Sequence, residues 1–233
     1  MSEGVSGTPE PVDPGSAVVV RLTPSPERRP ASAPLVRAAA AHALRVPPGE
    51  IRVGREARGR PWLGGAAEGL HVSVSHCAGV VAVALSRLGP VGVDIERLRP
   101  LPAVALGRRW FSAAEVRWLA ERAAGEQPAA FLWLWTHKEA IGKARGLGLS
   151  DGGLRRPVPY PDGLPWTDPG PRRDTPRLGR SLLAPVLGEP GMSTAAPRVS
   201  DGYLLAVAAA GPAVTGAPVV LTGPGPSPWS REG

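Results

Sequence analysis

Residues 71–96 set three β-prone runs back to back. "HVSVSH" (71–76) alternates polar and apolar residues, "GVVAVALS" (79–86) is apolar almost throughout, and "VGVDIE" (91–96) alternates again. A period of two marks a strand with one buried face, whereas an unbroken apolar run of this length marks a strand buried on both. The first two runs predict a hairpin and the third a further strand. The pattern then becomes helical. "SAAEVRWLAERAA" (112–124) opens with Ser112 and has Glu115 three residues on, the spacing of a capping box. "QPAAFLWLWTHKEAIGKARG" (127–146) predicts a long helix with a proline near its start and Gly146 as C-cap. A chain that begins its ordered centre this way must bring strands and a long helix into one packed unit.

The flanking segments fill in around that centre. Residues 1–16 predict a disordered tail, "AVVVRL" (17–22) a strand, and "SPERRPASAP" a proline-rich connection. "LVRAAAAHALRV" (35–46) predicts a helix stopped by "PPGE"; "EIRVGREARGRPWL" (50–63) predicts two short extended pieces around Gly59-Arg60-Pro61. Residues 150–198, rich in Pro, Gly and Arg, predict short strands and loops. "DGYLLAVAAA" (201–210) predicts a late strand that faintly echoes "AGVVAVALS", as if two halves shared a pattern. The expected division is an N-terminal half at 17–100, a C-terminal half at 101–210, and a Pro/Gly tail at 211–233.

Charge and cysteine content narrow the function. A net charge of +7 favours an anionic partner: a phosphorylated ligand, an acidic protein or nucleic acid. The arginines are scattered without interleaved aromatic platforms, so nucleic acid is not expected. One cysteine, Cys77, excludes an intramolecular disulfide and a cysteine metal cluster. The acidic start lacks a basic region followed by an apolar run, and "AGVVAVAL" is too short to span a bilayer. The expected setting is cytoplasmic, with no membrane partner.

In "VGVDIE", Val91, Val93 and Ile95 point to one face, and Gly92, Asp94 and Glu96 to the other. Two carboxylates on one face repel unless a cation lies between them, and a hard ion such as Mg²⁺ suits oxygen ligands. Gly92 on that face is expected to leave room for a phosphate. The plainer alternative is a solvated strand end beside Arg97 and Arg99.

The helix adds to this. Trp135, Lys138, Glu139, Gly142 and Lys143 recur at helical spacing and are expected to form one stripe. Lys138 and Lys143 are the chain's only lysines among 27 basic residues. An ordinary surface pair would accept arginine, which this chain uses everywhere else. Lysine differs in being a compact charge that can lose its proton. A proton donor or a crowded phosphate contact would explain it. Glu139 could add a third carboxylate to a metal site or act as a base. Ser75 and His76 could donate hydrogen bonds to a phosphate, and Arg60 stands in a rigid turn suited to an anion. His137 lies off the stripe and is read as incidental.

Together, "VGVDIE", "WTHKEAIGK", "GRP", "SVSH" and "RRWFSAAE" resemble the 4'-phosphopantetheinyl transferases. The likeness runs over about residues 17–210, and the length and D-x-E form resemble the larger, pseudo-dimeric, surfactin-synthetase-activating type. The resemblance implies a mixed α+β fold of two similar halves related by a pseudo-two-fold axis, and a monomer. It implies transfer of the phosphopantetheine arm of coenzyme A to a serine of an apo acyl or peptidyl carrier protein of acidic character, releasing 3',5'-ADP. Asp94, Glu96 and Glu139 would hold Mg²⁺, with Mn²⁺ as a substitute. Glu139 would help deprotonate the serine, directly or through a bound water. His76 and Lys143 would contact the pyrophosphate, Lys143 serving as acid. Arg60, Ser75 and Lys138 would contribute to coenzyme A binding, and Arg28 and Arg29 would reach its 3'-phosphate. Two departures stand out: arginine replaces the family's usual lysine at Arg60, and "RRPASAP" does not match the family's usual basic helix.

Two other functions use the same residues. One is a different Mg²⁺-dependent phosphoryl transfer or phosphohydrolysis; the other is a catalytically silent coenzyme A-binding module. Release of 3',5'-ADP only in the presence of an apo carrier separates the first, and the intact set of candidate catalytic groups disfavours the second.

Overall fold

The computed structural model describes residues 12–27, 30–57, 59–150, 152–161, 181–199 and 202–223. Arg28 and Arg29, assigned above to coenzyme A, lie outside the described residues, as does most of the N-terminal tail.

Two antiparallel-rich sheets lie face to face. The first runs in the order β4 (His71–Cys77), β5 (Gly79–Ser86), β1 (Val18–Ser25), β11 (Pro218–Thr222), β7 (Ser181–Leu182). The second runs β6 (Val91–Arg97), β10 (Tyr203–Ala210), β9 (Met192–Ala195), β8 (Ala184–Pro185). Val18, Val20, Val80, Ala82 and Ala84 of the first sheet pack on Val91, Val93, Ile95, Leu205, Val207 and Ala209 of the second. The opposite faces are covered by helices. Val81, Val83 and Leu85 of β5 meet α1 (Ser32–Leu44) through Val36, Ala39 and Ala40. Leu204, Ala206 and Ala208 of β10 meet α4 (Gln127–Arg145) among Leu134, Ala140, Ile141 and Ala144. Both faces of β5 are thus buried, which is why its sequence reads as one apolar run. β2 (Ile51–Arg55) and β3 (Pro61–Gly65) form the expected pair of extended pieces beside α1.

The helices follow their local signals. Ser112 and Glu115 close a reciprocal capping box at α3 (Ala113–Ala120). α4 ends at Gly146, whose φ of 72° is the left-handed conformation that glycine adopts without penalty. α2 (Ala103–Trp110) is an additional helix, packed on α3 through a glycine, Gly107, that lies against Leu119.

Three expectations change. Residues 218–222, expected in a tail, form β11, which pairs in parallel with β1 inside the first sheet. β6, expected in the N-terminal half, pairs along seven residues with β10 of the C-terminal half. Gly92 does not face open space for a phosphate. A β-carbon there would stand 1.9 Å from the Ala140 carbonyl oxygen and 2.5 Å from the Ala144 nitrogen, so the missing side chain is what lets the α4 backbone lie on β6.

The edges of the two sheets are joined by hydroxyls. β4 and β6 each lie at the end of their sheet. The Val93 amide donates to Ser73 Oγ at 3.1 Å, and the Ile95 amide donates to Ser75 Oγ at 3.3 Å. The alternation in "HVSVS" follows: Val72 and Val74 pack toward α1, while Ser73 and Ser75 give the edge amides of β6 the acceptors that another strand would supply.

Candidate active site

The join between β4, β6 and α4 gathers most of the candidate residues. Asp94 is buried beneath it. Its Oδ1 accepts from Ser75 Oγ at 2.7 Å and from Lys143 Nζ at 2.8 Å. Lys143 also donates to the Val93 carbonyl at 3.0 Å. Asp94 Oδ2 is buried with no hydrogen-bond partner among the described residues. Leaving a buried carboxylate oxygen unpartnered is costly, and a bound cation would offset that cost.

Glu139 sits half-buried on α4. Burial first, and then the Asp94 charge, push its carboxyl above the usual glutamate range; Lys143 opposes this and Glu96 adds to it. Three carboxylates therefore share one region with an excess of negative charge. Among the described residues they are not gathered tightly enough to enclose an ion as they stand, for Asp94 is held by Lys143 and Ser75, and Glu96 pairs with Arg99 at 2.7 Å. The donor set is all oxygen, and among the described residues Oδ2 has no protein donor. These features fit a hard divalent cation.

The remaining candidates divide. His76 is exposed on β4, next in sequence to Ser75. Arg60 lies against the C-terminus of α4, with Nη1 3.0 Å from where a β-carbon on Gly146 would stand, and its charge, after burial, holds His71 below the usual imidazole range. The β2–β3 turn is thus brought to the end of the helix that carries Lys143.

Ser75 and Lys138 are placed differently from the expectation. The Ser75 hydroxyl is buried and its single proton goes to Asp94. Lys138 is 0% exposed. Its ammonium donates to Glu115 Oε1 at 2.6 Å and to the Arg156 carbonyl at 2.5 Å, and it stands 5.1 Å from the Phe111 ring centroid. The expected single stripe therefore splits. Successive helical residues are about 100° apart, which sets Glu139 and Lys143 about 40° apart but Lys138 about 140° from Lys143. Trp135 stays with the packed aromatics, 5.5 Å from Trp110 and 6.1 Å from Phe131. Gly142 packs where a β-carbon would meet the Gly148 carbonyl at 2.0 Å.

Sequence reasoning did not anticipate Glu115 as a partner of Lys138. Glu115 was legible as a capping residue, and its Oε2 does accept from the Ser112 amide at 2.9 Å. Its other oxygen reaches a lysine 23 residues away, and no local pattern announces that.

A sequence model of the 4'-phosphopantetheinyl transferase superfamily matches residues 90–162, from the start of β6 past the end of α4. A 4'-phosphopantetheinyl transferase of Bacillus subtilis is 33% identical over 116 residues, 50% of each chain. HetI, a 4'-phosphopantetheinyl transferase of Nostoc, is 34% identical over 110 residues, 46% of each chain. The 4'-phosphopantetheinyl transferase Sfp of Bacillus subtilis is 30% identical over 116 residues, again 50% of each chain. The chain spans about half the length of the curated relatives it matches. The segment that resembles the 4'-phosphopantetheinyl transferase superfamily is the one in which β6 lies on α4 and Asp94 meets Lys143.

Proposed function

We propose that the chain transfers the 4'-phosphopantetheine arm of coenzyme A to a serine of an apo carrier protein, releasing 3',5'-ADP. The observation that carries this is the Asp94–Lys143 contact beneath a half-buried Glu139, inside the segment matched by the superfamily model. The residues supply what an alcohol attacking a pyrophosphate requires: a base for the hydroxyl, a proton donor for the departing oxygen, and ligands for a charge-neutralising cation.

Asp94, Glu96 and Glu139 would hold the cation, Mg²⁺ by the chemistry of their oxygens. When bound, it would offset pyrophosphate charge. Glu139 is a stronger base than a solvated glutamate because burial and Asp94 disfavour its charged form. It takes the proton from the incoming serine hydroxyl. The serine oxygen forms a bond to the phosphorus that bears the pantetheine arm. The bond from that phosphorus to the bridging oxygen breaks, and the oxygen leaves with 3',5'-ADP. Lys143, already at hydrogen-bond distance from Asp94, neutralises that oxygen and can give it a proton. His76 on β4 and Arg60 in the β2–β3 turn would supply donors to the phosphates.

A basic chain suits a carrier of acidic character. The test is the release of 3',5'-ADP from coenzyme A with Mg²⁺, measured with and without an apo carrier. Release that requires the carrier and matches its modification one for one is expected. Release at the same rate without a carrier would make the protein a phosphohydrolase instead.

A further inference from the structure

Ser73 and Ser75 form the same backbone stitch. Each hydroxyl accepts from an amide of β6, Val93 for Ser73 and Ile95 for Ser75. Among the described residues only Ser75 does more: its proton goes to Asp94 Oδ1 at 2.7 Å. Oδ1 thus carries two donors, Ser75 and Lys143, while Oδ2 is buried and unpartnered among the described residues. A carboxylate pinned by one oxygen has its rotamer fixed, and its other oxygen is presented in one direction. Outer donors of this kind orient metal ligands and strongly affect their affinity.

We propose that Ser75 is a positioning residue for Asp94, fixing the carboxylate so that Oδ2 is offered to a divalent cation, and is not a contact for the nucleotide of coenzyme A. Its buried hydroxyl has spent its only proton, so it has no donor left for a phosphate oxygen. Ser73 supplies the contrast, sharing the stitch but not the bond to Asp94. The inference rests on the transfer reading only for the task the cation performs; the geometry of Ser75 and Asp94 is independent of it.

The test measures Mn²⁺ binding to the full chain by the loss of the free-ion electron paramagnetic resonance signal. Coenzyme A binding is measured separately by calorimetry in EDTA. Ser75→Ala is expected to weaken Mn²⁺ binding roughly 10–100-fold, with coenzyme A affinity in EDTA unchanged. Ser73→Ala, which removes a stitch alone, should keep the wild-type Mn²⁺ affinity. Ser75→Thr, which restores the hydroxyl, should recover most of the loss. Should Ser75→Ala not fold, Ser75→Cys keeps the volume but donates only weakly, and it should also bind Mn²⁺ less tightly. Wild-type Mn²⁺ affinity in the folded Ser75 variants overturns the proposal. So does equal weakening by Ser73→Ala, a loss of metal-free coenzyme A binding in Ser75→Ala, or a wild-type chain that binds no Mn²⁺. If the wild type binds Mn²⁺ with this pattern yet modifies no carrier, the Ser75 assignment stands and the transfer reading fails.

Discussion

Lys138 offers the sharpest perturbation of the packing behind the site. Its ammonium is wholly enclosed by Glu115, the Arg156 carbonyl and the Phe111 ring, and it ties α4 to α3 and to the segment after α4. Lys138→Met keeps the length of the side chain but leaves Glu115 Oε1 buried without its cation. Removing one member of a buried ion pair costs about 3–5 kcal/mol, because the survivor's charge is then uncompensated. Against a total stability of about 5–15 kcal/mol, that is a large share. Lys138→Arg keeps the charge but puts a broader, planar group into a filled slot, with an overpacking cost of roughly 1–3 kcal/mol. The Lys138→Met/Glu115→Gln pair should recover part of the loss, since Gln can still serve the Ser112 cap. Urea unfolding at neutral pH, with the slope held constant across variants, reads these differences. Any Lys138→Met protein that remains folded should keep coenzyme A affinity, because the amine points away from Asp94 and Lys143. A loss below about 1 kcal/mol would refute the reasoning that this lysine is retained for a buried pair.

Gly92→Ala should lower stability by about 1–3 kcal/mol and reduce transfer as well, since a β-carbon 1.9 Å from the Ala140 carbonyl forces α4 off β6; full activity would contradict it. Lys143→Arg should lower kcat by about a hundredfold or more with coenzyme A affinity retained, because an arginine cannot release a proton; steady-state kinetics decides. His137 is fully enclosed, donates from Nδ1 to the Trp133 carbonyl at 2.8 Å, and is pushed down to about 4 by burial. Below pH 6.5 the unfolded chain takes up a proton there that the folded chain refuses until about pH 4. Stability should therefore fall as pH drops through that window, by at most about 1.4 kcal/mol per pH unit from this group. Urea midpoints of the wild type and His137→Gln across that range should show a shallower slope in the variant.

The strands from His71 to Arg97 and the long helix were legible because their signals are local: alternation, an unbroken apolar run, a capping box and a glycine stop. β11 was not, because three aliphatic residues, Val219, Val220 and Leu221, set among prolines and glycines look like a tail until β1 supplies a parallel partner. The site was legible as a set of residue types, and much less so as an arrangement. Spacing put Lys138 beside Glu139 and Lys143, but only the packing of α4 against α3 decides which amine turns inward. Gly92 and Ser75 shared the same difficulty. Each carries a signal for its own strand, while its role depends on a backbone or carboxylate far away in sequence. Two lysines thus persist in an arginine-rich chain for different reasons, one a buried strut and the other a charge held on Asp94.

The most direct test of the β6–α4 site is the mass of an apo carrier protein incubated with coenzyme A, Mg²⁺ and either the wild-type chain or its Asp94→Ala variant. The carrier is expected to gain one phosphopantetheine arm, on a serine, with the wild type, and none with a folded Asp94→Ala protein. A panel of apo carriers that all stay unmodified, or a carrier modified equally by both proteins, would contradict it.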